Sequence, residues 1–205
     1  EIAIDGRVLG IDPSQEMIDF AAQKYPLSVH PNLRFRTGLA ESEHGAATYS
    51  LITAFNCLHW SRNPIEAFYN CYQALKQQGR FLGVTYPQES VYWQMFIEVF
   101  STQKWKQYLA SSPIDCWLSS DGYRQLAVDC HFKTLQFSVE DCAITYRCRE
   151  ELGAYIKGWL SCMLPVAENL QLAFLNDVLD HAEQQFSNQS LIEIPYTKLT
   201  YCFER

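Results

Sequence analysis

Strand and helix signals alternate through the first 86 residues of this chain, and that alternation restricts the fold more tightly than any other feature. Arg7 to Ile11 (RVLGI) is a short apolar, β-branched run ending at Asp12; after Pro13-Ser14, the residues Met17, Ile18, Ala21 and Ala22 share one helical face. Asn32 to Thr37 (NLRFRT) alternates as a strand, and Gly38-Leu39-Ala40-Glu41 follows its end. Tyr49 to Phe55 (YSLITAF) is a third strand. Pro64 to Leu75 reads as a helix with Pro in its first turn and Ala67, Phe68, Cys71 and Leu75 inward, closed by Gln78-Gly79 before a fourth strand, Arg80 to Tyr86. Strands separated by helices imply a doubly wound parallel α/β sheet, whose ligands bind beyond the carboxyl ends of the strands.

After Pro87 the rhythm changes. Ser90 to Tyr108 is helical in period and crowded with Tyr92, Trp93, Phe96, Phe100, Trp105 and Tyr108, so it needs a covering partner. His131 to Val139 alternates as a strand, Glu150 to Ser161 and Glu168 to Phe186 read as amphipathic helices, and Pro195 to Phe203 closes the chain as a strand. At about 150 residues per domain, 205 residues make one domain, 1–205, in which roughly 88–128 and 145–190 form helical caps or insertions.

Composition narrows the function. With 16 basic and 23 acidic residues the net charge is −7, a field that repels the phosphate backbone, so nucleic acid is not an expected partner. Apolar runs stay far short of the ~20 residues that cross a bilayer, so no membrane partner is expected. The eight cysteines form no CxxC pair; no metal site is expected, and the thiols read as mostly buried, reduced and cytoplasmic. The oligomeric state is not legible.

Chemistry is expected at the strand ends. A carboxylate at Asp12, just past a strand, can accept from both vicinal hydroxyls of a ribose, and it can equally cap the helix that follows. One βα unit later, Ala40 and Glu41 offer a backbone amide and a carboxylate suited to the polar edge of an adenine, in what is otherwise an ordinary loop. At the third strand's end stands Phe55-Asn56-Cys57-Leu58-His59-Trp60.

The ordered segments GIDPSQEMIDFA, GLAE, YSLITAFNCLHWSRNPIEAF and LKQQGRFLGV resemble the class I S-adenosylmethionine-dependent methyltransferases. The LHW after the third strand and the layout of the last hundred residues are similar to the trans-aconitate, juvenile-hormone-acid and malonyl-carrier-protein O-methyltransferase group. The match is strong over about residues 5–87 and weak beyond. The resemblance implies a Rossmann-like, mostly parallel sheet with an antiparallel last strand and a helical lid. It implies S-adenosylmethionine as cofactor, with Asp12 on the ribose, Pro13 and Met17 against the adenine, Ala40 and Glu41 at its polar edge, and Asn56, Cys57 and Leu58 beneath the methionine portion. One departure stands out. The family places a strand and a glycine-rich loop about one βα unit upstream of the ribose acid, and only eleven residues precede Asp12 here. The first strand and its loop are expected to have been left out of this sequence, because a missing central strand leaves its neighbours with unpaired ladders, and this chain is expected to hold no fully engaged S-adenosylmethionine.

Methyl transfer asks the protein chiefly for alignment. A carboxylate acceptor arrives ionised and needs no base, so a small acid is the expected substrate. His59 is the best-placed base and also fits a packed, structural role. Trp60 fits the wall of an acceptor pocket or an anchor for the next helix. Tyr86 and Trp105, in the aromatic stretch, suit a lid; Arg147, with Arg149 and Lys106, could meet a carboxylate, although Glu150 and Glu151 stand close by. Two other readings remain open: a nicotinamide-dependent dehydrogenase, which would also use Asp12, and a noncatalytic methyltransferase-like subunit.

Overall fold

The computed structural model describes residues 6–42, 44–188 and 191–205. Its first strand, β1 (Val8–Asp12), ends where Asp12 Oδ1 accepts from the Ser14 amide (2.8 Å) and Ser14, as N-cap, accepts from the Met17 amide. Two orphan amides are thereby satisfied and helix α1 (Gln15–Lys24) begins. α1 buries only Ile18; Met17, read as sharing its helical face, is exposed. β2 (Leu33–Thr37) pairs in parallel with β1, and the two form a sheet of their own.

β3 (Tyr49–Phe55) leads to a short 3-10 turn, Leu58–Trp60, and then to α2 (Pro64–Ala74). Asn63 caps α2 reciprocally: its Oδ1 accepts from the Glu66 amide (3.3 Å) while its Nδ2 donates to Glu66 Oε2 (2.9 Å), with Pro64 preset for the first turn. β4 (Leu75–Thr85) runs parallel to β3, α3 (Val91–Phe100) and α4 (Ser120–Asp129) follow, and β5 (Lys133–Tyr146) begins the final pair. Helices α5 (Arg149–Lys157), α6 (Leu160–Met163) and α7 (Glu168–Phe186) intervene before the two-residue β6 (Ser187–Asn188) and β7 (Leu191–Glu204).

The main sheet has the order β3-β4-β7-β5, with β6 beside β7; β7 alone among the four long strands runs opposite to the rest. The expected mostly parallel, Rossmann-like sheet with an antiparallel last strand is therefore present. The β5–β7 ladder is longer than the sequence suggested, running from Lys133↔Glu204 to Tyr146↔Ile192. Alternation continues through Cys142-Ala143-Ile144-Thr145-Tyr146, because this distal half has a buried face under the helices. The aromatic helix is shorter: α3 stops at Phe100, and 3-10 turns carry the chain through Lys106–Ser111 and Pro113–Cys116.

Two cores hold these layers. In one, Phe68 and Ala67 of α2 and Tyr123, Leu126 and Ala127 of α4 pack on Phe81, Tyr201 and Phe203 of the sheet. α4 thus covers the sheet and is not part of a cap. Gly83 is required there, since a Cβ would stand 2.0 Å from the Tyr201 ring. In the other, α3, α5 and α7 seal Phe96, Phe100, Leu152, Ile156 and Phe174 against Ile192 and Ile194 of the distal ladder. All eight cysteines are free thiols, but only Cys71 and Cys130 are buried, which corrects the expectation that most would be. No described helix is long and apolar enough to cross a membrane, and no described cluster of His, Cys, Asp or Glu could hold a metal.

Candidate functional site

The loop tips at the strand ends are tied together in pairs. The Gly38 amide donates to the Asp12 carbonyl (3.0 Å), joining the ends of β1 and β2, and the Asn56 amide donates to the Val84 carbonyl (2.9 Å), joining β3 and β4. Asn56 adopts φ 54°, a left-handed conformation that asparagine tolerates well, and so turns the chain sharply off the strand. The pairs are then linked. Glu41 Oε1 accepts from Ser61 Oγ (2.7 Å) and the Arg62 amide (3.1 Å), its carbonyl accepts from Asn70 Nδ2 (2.5 Å), and Ala40 packs against the core that includes Leu58. Although Cys57 as a residue is exposed, desolvation around its sulfur and then the negative charge of nearby Asp12 raise the thiol pKa to about 11, with the Leu58 amide opposing. Residues 12, 40–41 and 56–57 therefore share one rim.

Beside that rim lies a cavity of about 260 Å³. Three indoles, Trp60, Trp93 and Trp159, close one side with ring centroids 5.6–5.8 Å apart. Five phenols, those of Tyr86, Tyr92, Tyr146, Tyr155 and Tyr196, line the rest with Asn56, His59 and Ile144. No lysine, arginine or carboxylate is among the lining residues. Burial pushes both Tyr92 and Tyr146 up, Tyr146 to about 12; the two phenols also act on each other, Tyr146 raising Tyr92 and Tyr92 opposing the rise at Tyr146, although neither hydroxyl meets strict hydrogen-bond geometry.

His59 stands between rim and cavity, buried among Trp60 (4.7 Å), Trp93 (5.5 Å) and Tyr86 (5.7 Å). Its Nδ1 lies 3.3 Å from Thr85 Oγ1, and burial lowers its pKa to about 4, so the imidazole is neutral at pH 7. A base that weak is poorly matched to proton abstraction near neutrality.

Of the sequence-expected residues, the cavity gathers Asn56, His59, Trp60 and Tyr86. Asp12, Pro13, Met17, Ala40, Glu41 and Cys57 stay on the rim outside the cavity lining, and the Leu58 side chain points into the core instead of toward a ligand. Two expectations are corrected. Trp105 belongs to the helical core, where it packs on Phe174 (5.1 Å) and donates from Nε1 to Asp177 Oδ2 (2.6 Å); its bulk fills a layer there, and it is not among the residues that line the cavity. Arg147 is 84% exposed and forks onto Glu151 at the start of α5, while Arg149 pairs with Asp180 and Glu183. Neither arginine lines the cavity. Tyr146, Tyr155, Trp159 and Tyr196 were not anticipated. Tyr155 and Trp159, four residues apart on one helical face, carried a usable signal; Tyr146 and Tyr196 sat at or past the ends assigned to their strands.

Asp12 also bears on whether a nucleoside could be held. One carboxylate oxygen is occupied by the Ser14 amide and the other has no described partner, which suits acceptance from ribose hydroxyls, while exposed Met17 offers apolar contact beside it. Glu41 has one oxygen committed to the Ser61 loop and one left for a ligand.

Residues 2–81 match a family described as a methyltransferase domain. The chain is 25% identical over 153 residues to the methyltransferase-like protein 235L of Invertebrate iridescent virus 6, covering 74% of this chain and 56% of that protein. It is 22% identical over 187 residues to the juvenile hormone acid O-methyltransferase of Drosophila melanogaster, covering 87% and 63%. It thus spans less than two thirds of the length of these curated relatives. Among solved structures, the YcgJ protein of Bacillus subtilis shares the fold at TM-score 0.64 and 20% identity, over 97% of this chain and 82% of that one. Geranyl diphosphate methyltransferase in complex with S-adenosylmethionine does so at TM-score 0.51 and 16% identity, over 98% and 70%.

Proposed function

We propose that this chain, which carries the class I methyltransferase fold and matches the methyltransferase domain over residues 2–81, moves a methyl group from S-adenosylmethionine to a carboxylate oxygen of a small molecule. Adjacency carries the reading: the rim bearing Asp12, Glu41 and Asn56 continues through Asn56 and His59 into a cavity lined by aromatic rings. S-adenosylmethionine supplies, when bound, an activated methyl group on a cationic sulfur. Asp12 would accept from the ribose hydroxyls, Pro13 and Met17 would contact the adenine, the Ala40 amide and Glu41 would meet its polar edge, and the Asn56–Leu58 backbone would lie under the methionine portion. Match to the methyltransferase domain family supports this over the dehydrogenase reading of Asp12.

The cavity supports an acid acceptor by what its wall contains. An ionised carboxylate needs no base, and His59, neutral and weakly basic, provides none. The indoles and phenols give the cavity a largely apolar wall, and a low-dielectric surrounding strengthens attraction between an anionic acceptor and a cation beside it. An acid O-methyltransferase among the relatives supports the same acceptor class.

Calorimetric titration of the whole encoded protein with S-adenosylhomocysteine and with NAD tests the cofactor. S-adenosylhomocysteine is expected to bind, and Asp12→Ala to weaken it by about 1.5–3 kcal/mol, the scale of hydrogen bonds to a charged group. Unchanged affinity removes Asp12 from the ribose, and preferential binding of NAD replaces the reading. Release of S-adenosylhomocysteine across a panel of small carboxylic acids tests the acceptor; Trp60→Ala is expected to raise the acceptor KM more than it changes cofactor affinity.

A further inference from the structure

We propose that Tyr123 and Thr85 lock His59 in the tautomer that carries its proton on Nε2, making it a hydrogen-bond donor into the cavity and favouring an anionic oxygen acceptor over an amine. The acceptor's role rests on the methyltransferase reading; the tautomer does not. Thr85 Oγ1 lies 3.4 Å from Tyr123 Oη and 3.3 Å from His59 Nδ1. Tyr123 is buried, and burial, partly opposed by Thr85, pushes its pKa to about 12, so the phenol keeps its proton. Among the described residues Thr85 is its hydrogen-bond partner, and a buried O–H that does not donate is costly, so Tyr123 donates to Thr85 Oγ1. A hydroxyl has one proton, and the direction of the chain sends that of Thr85 to His59 Nδ1. Nδ1 thus accepts. A neutral imidazole carries its single proton on the other nitrogen, Nε2, and His59 is among the residues that line the cavity.

The wall around this donor agrees. Phenols and indoles make up most of it, and no lysine or arginine among the lining residues competes as a counter-charge. An oxyanion can accept a hydrogen bond from the His59 N–H; an amine that is protonated brings only donors to a group that already donates.

Long-range proton–nitrogen correlation NMR on histidine-labelled protein at pH 7 reads the tautomer of His59 directly. Nε2–H is expected in the wild type, with Thr85→Val and Tyr123→Phe shifting it toward Nδ1–H and Thr85→Ser retaining it. Quenching of tryptophan fluorescence by octanoate and by octylamine reads the selectivity; at least a tenfold preference for octanoate is expected, falling below about threefold in His59→Phe. Nδ1–H in the wild type, or octylamine binding as tightly as octanoate, overturns the proposal. Failure of S-adenosylhomocysteine to bind the whole encoded protein overturns the methyl-transfer reading alone and leaves the tautomer result standing.

Discussion

Phe20 and Phe55 are 57% and 55% exposed, whereas Phe96, Phe100 and Phe174 are fully buried. The contrast separates two regions of the molecule. Around β1, α1 and β3, large apolar side chains face outward: of the eighteen left exposed among the described residues, eleven lie between Val8 and Tyr69. β1 pairs only with β2 and β3 only with β4, so each keeps one edge without a described partner. Around β5, β7 and helices α3 to α7, the same residue types interlock in continuous cores. The chain as a whole exposes 11934 Å², against about 9800 Å² for a compact monomer of this mass, and the open region is where further cover would be gained. The cavity belongs to the packed region and the nucleoside rim to the open one. The densest packing and the cavity therefore lie in one part of the chain, and the rim proposed to meet the cofactor in another.

Core truncation should separate the two regions most sharply. Phe68→Ala or Phe174→Ala is expected to cost about 3–5 kcal/mol in denaturant unfolding, while Phe20→Ala stays within about 0.5 kcal/mol; equal losses would erase the contrast. Lowering the pH comes next. His59 has a folded pKa near 4, below its ordinary 6.5, so the unfolded chain binds its proton first: its neutral form adds no penalty above about 6.5, and stability falls as the pH drops from there toward 4, by up to about 3 kcal/mol. His59→Gln should flatten that part of the stability–pH curve. Gly83→Ala, which forces a methyl group into the Tyr201 ring, should cost about 1–3 kcal/mol by overpacking. Hydrogen exchange should open β1 and β2 before the β5–β7 ladder; the reverse order would contradict the assignment of stability to the packed region. The smallest effect is expected at Arg147→Ala, within about 0.5 kcal/mol and without change in acceptor affinity, since its ion pair is solvated.

Much of this was legible from neighbours in sequence. The α2 boundaries follow from Asn63, Pro64 and Glu66, and the α7 span Glu168–Phe186 was read in full, because caps and helical period are set within a turn or two. The rim residues could be nominated because each sits just past a strand. The cavity was harder. Its wall takes Tyr86 from the end of β4, Tyr92 and Trp93 from α3, Tyr146 from β5, Tyr155 and Trp159 from α5 and beyond, and Tyr196 from β7. Trp105 and Arg147 looked equally suitable in sequence, and only packing showed that one serves the core and the other the solvent.

The sequence by itself determined the alternation of strands and helices, the caps that begin them, and which loops could carry a nucleoside-binding acid, since these depend on residues a few positions apart. Tertiary structure alone decided that His59, Thr85 and Tyr123, separated by 26 and 38 residues, form one proton-ordered chain, and that eight aromatic rings enclose a space without a cation. The reason is physical: a hydrogen bond or a cavity wall depends on distance in space, and no local periodicity encodes which distant side chains the sheet brings within 4 Å.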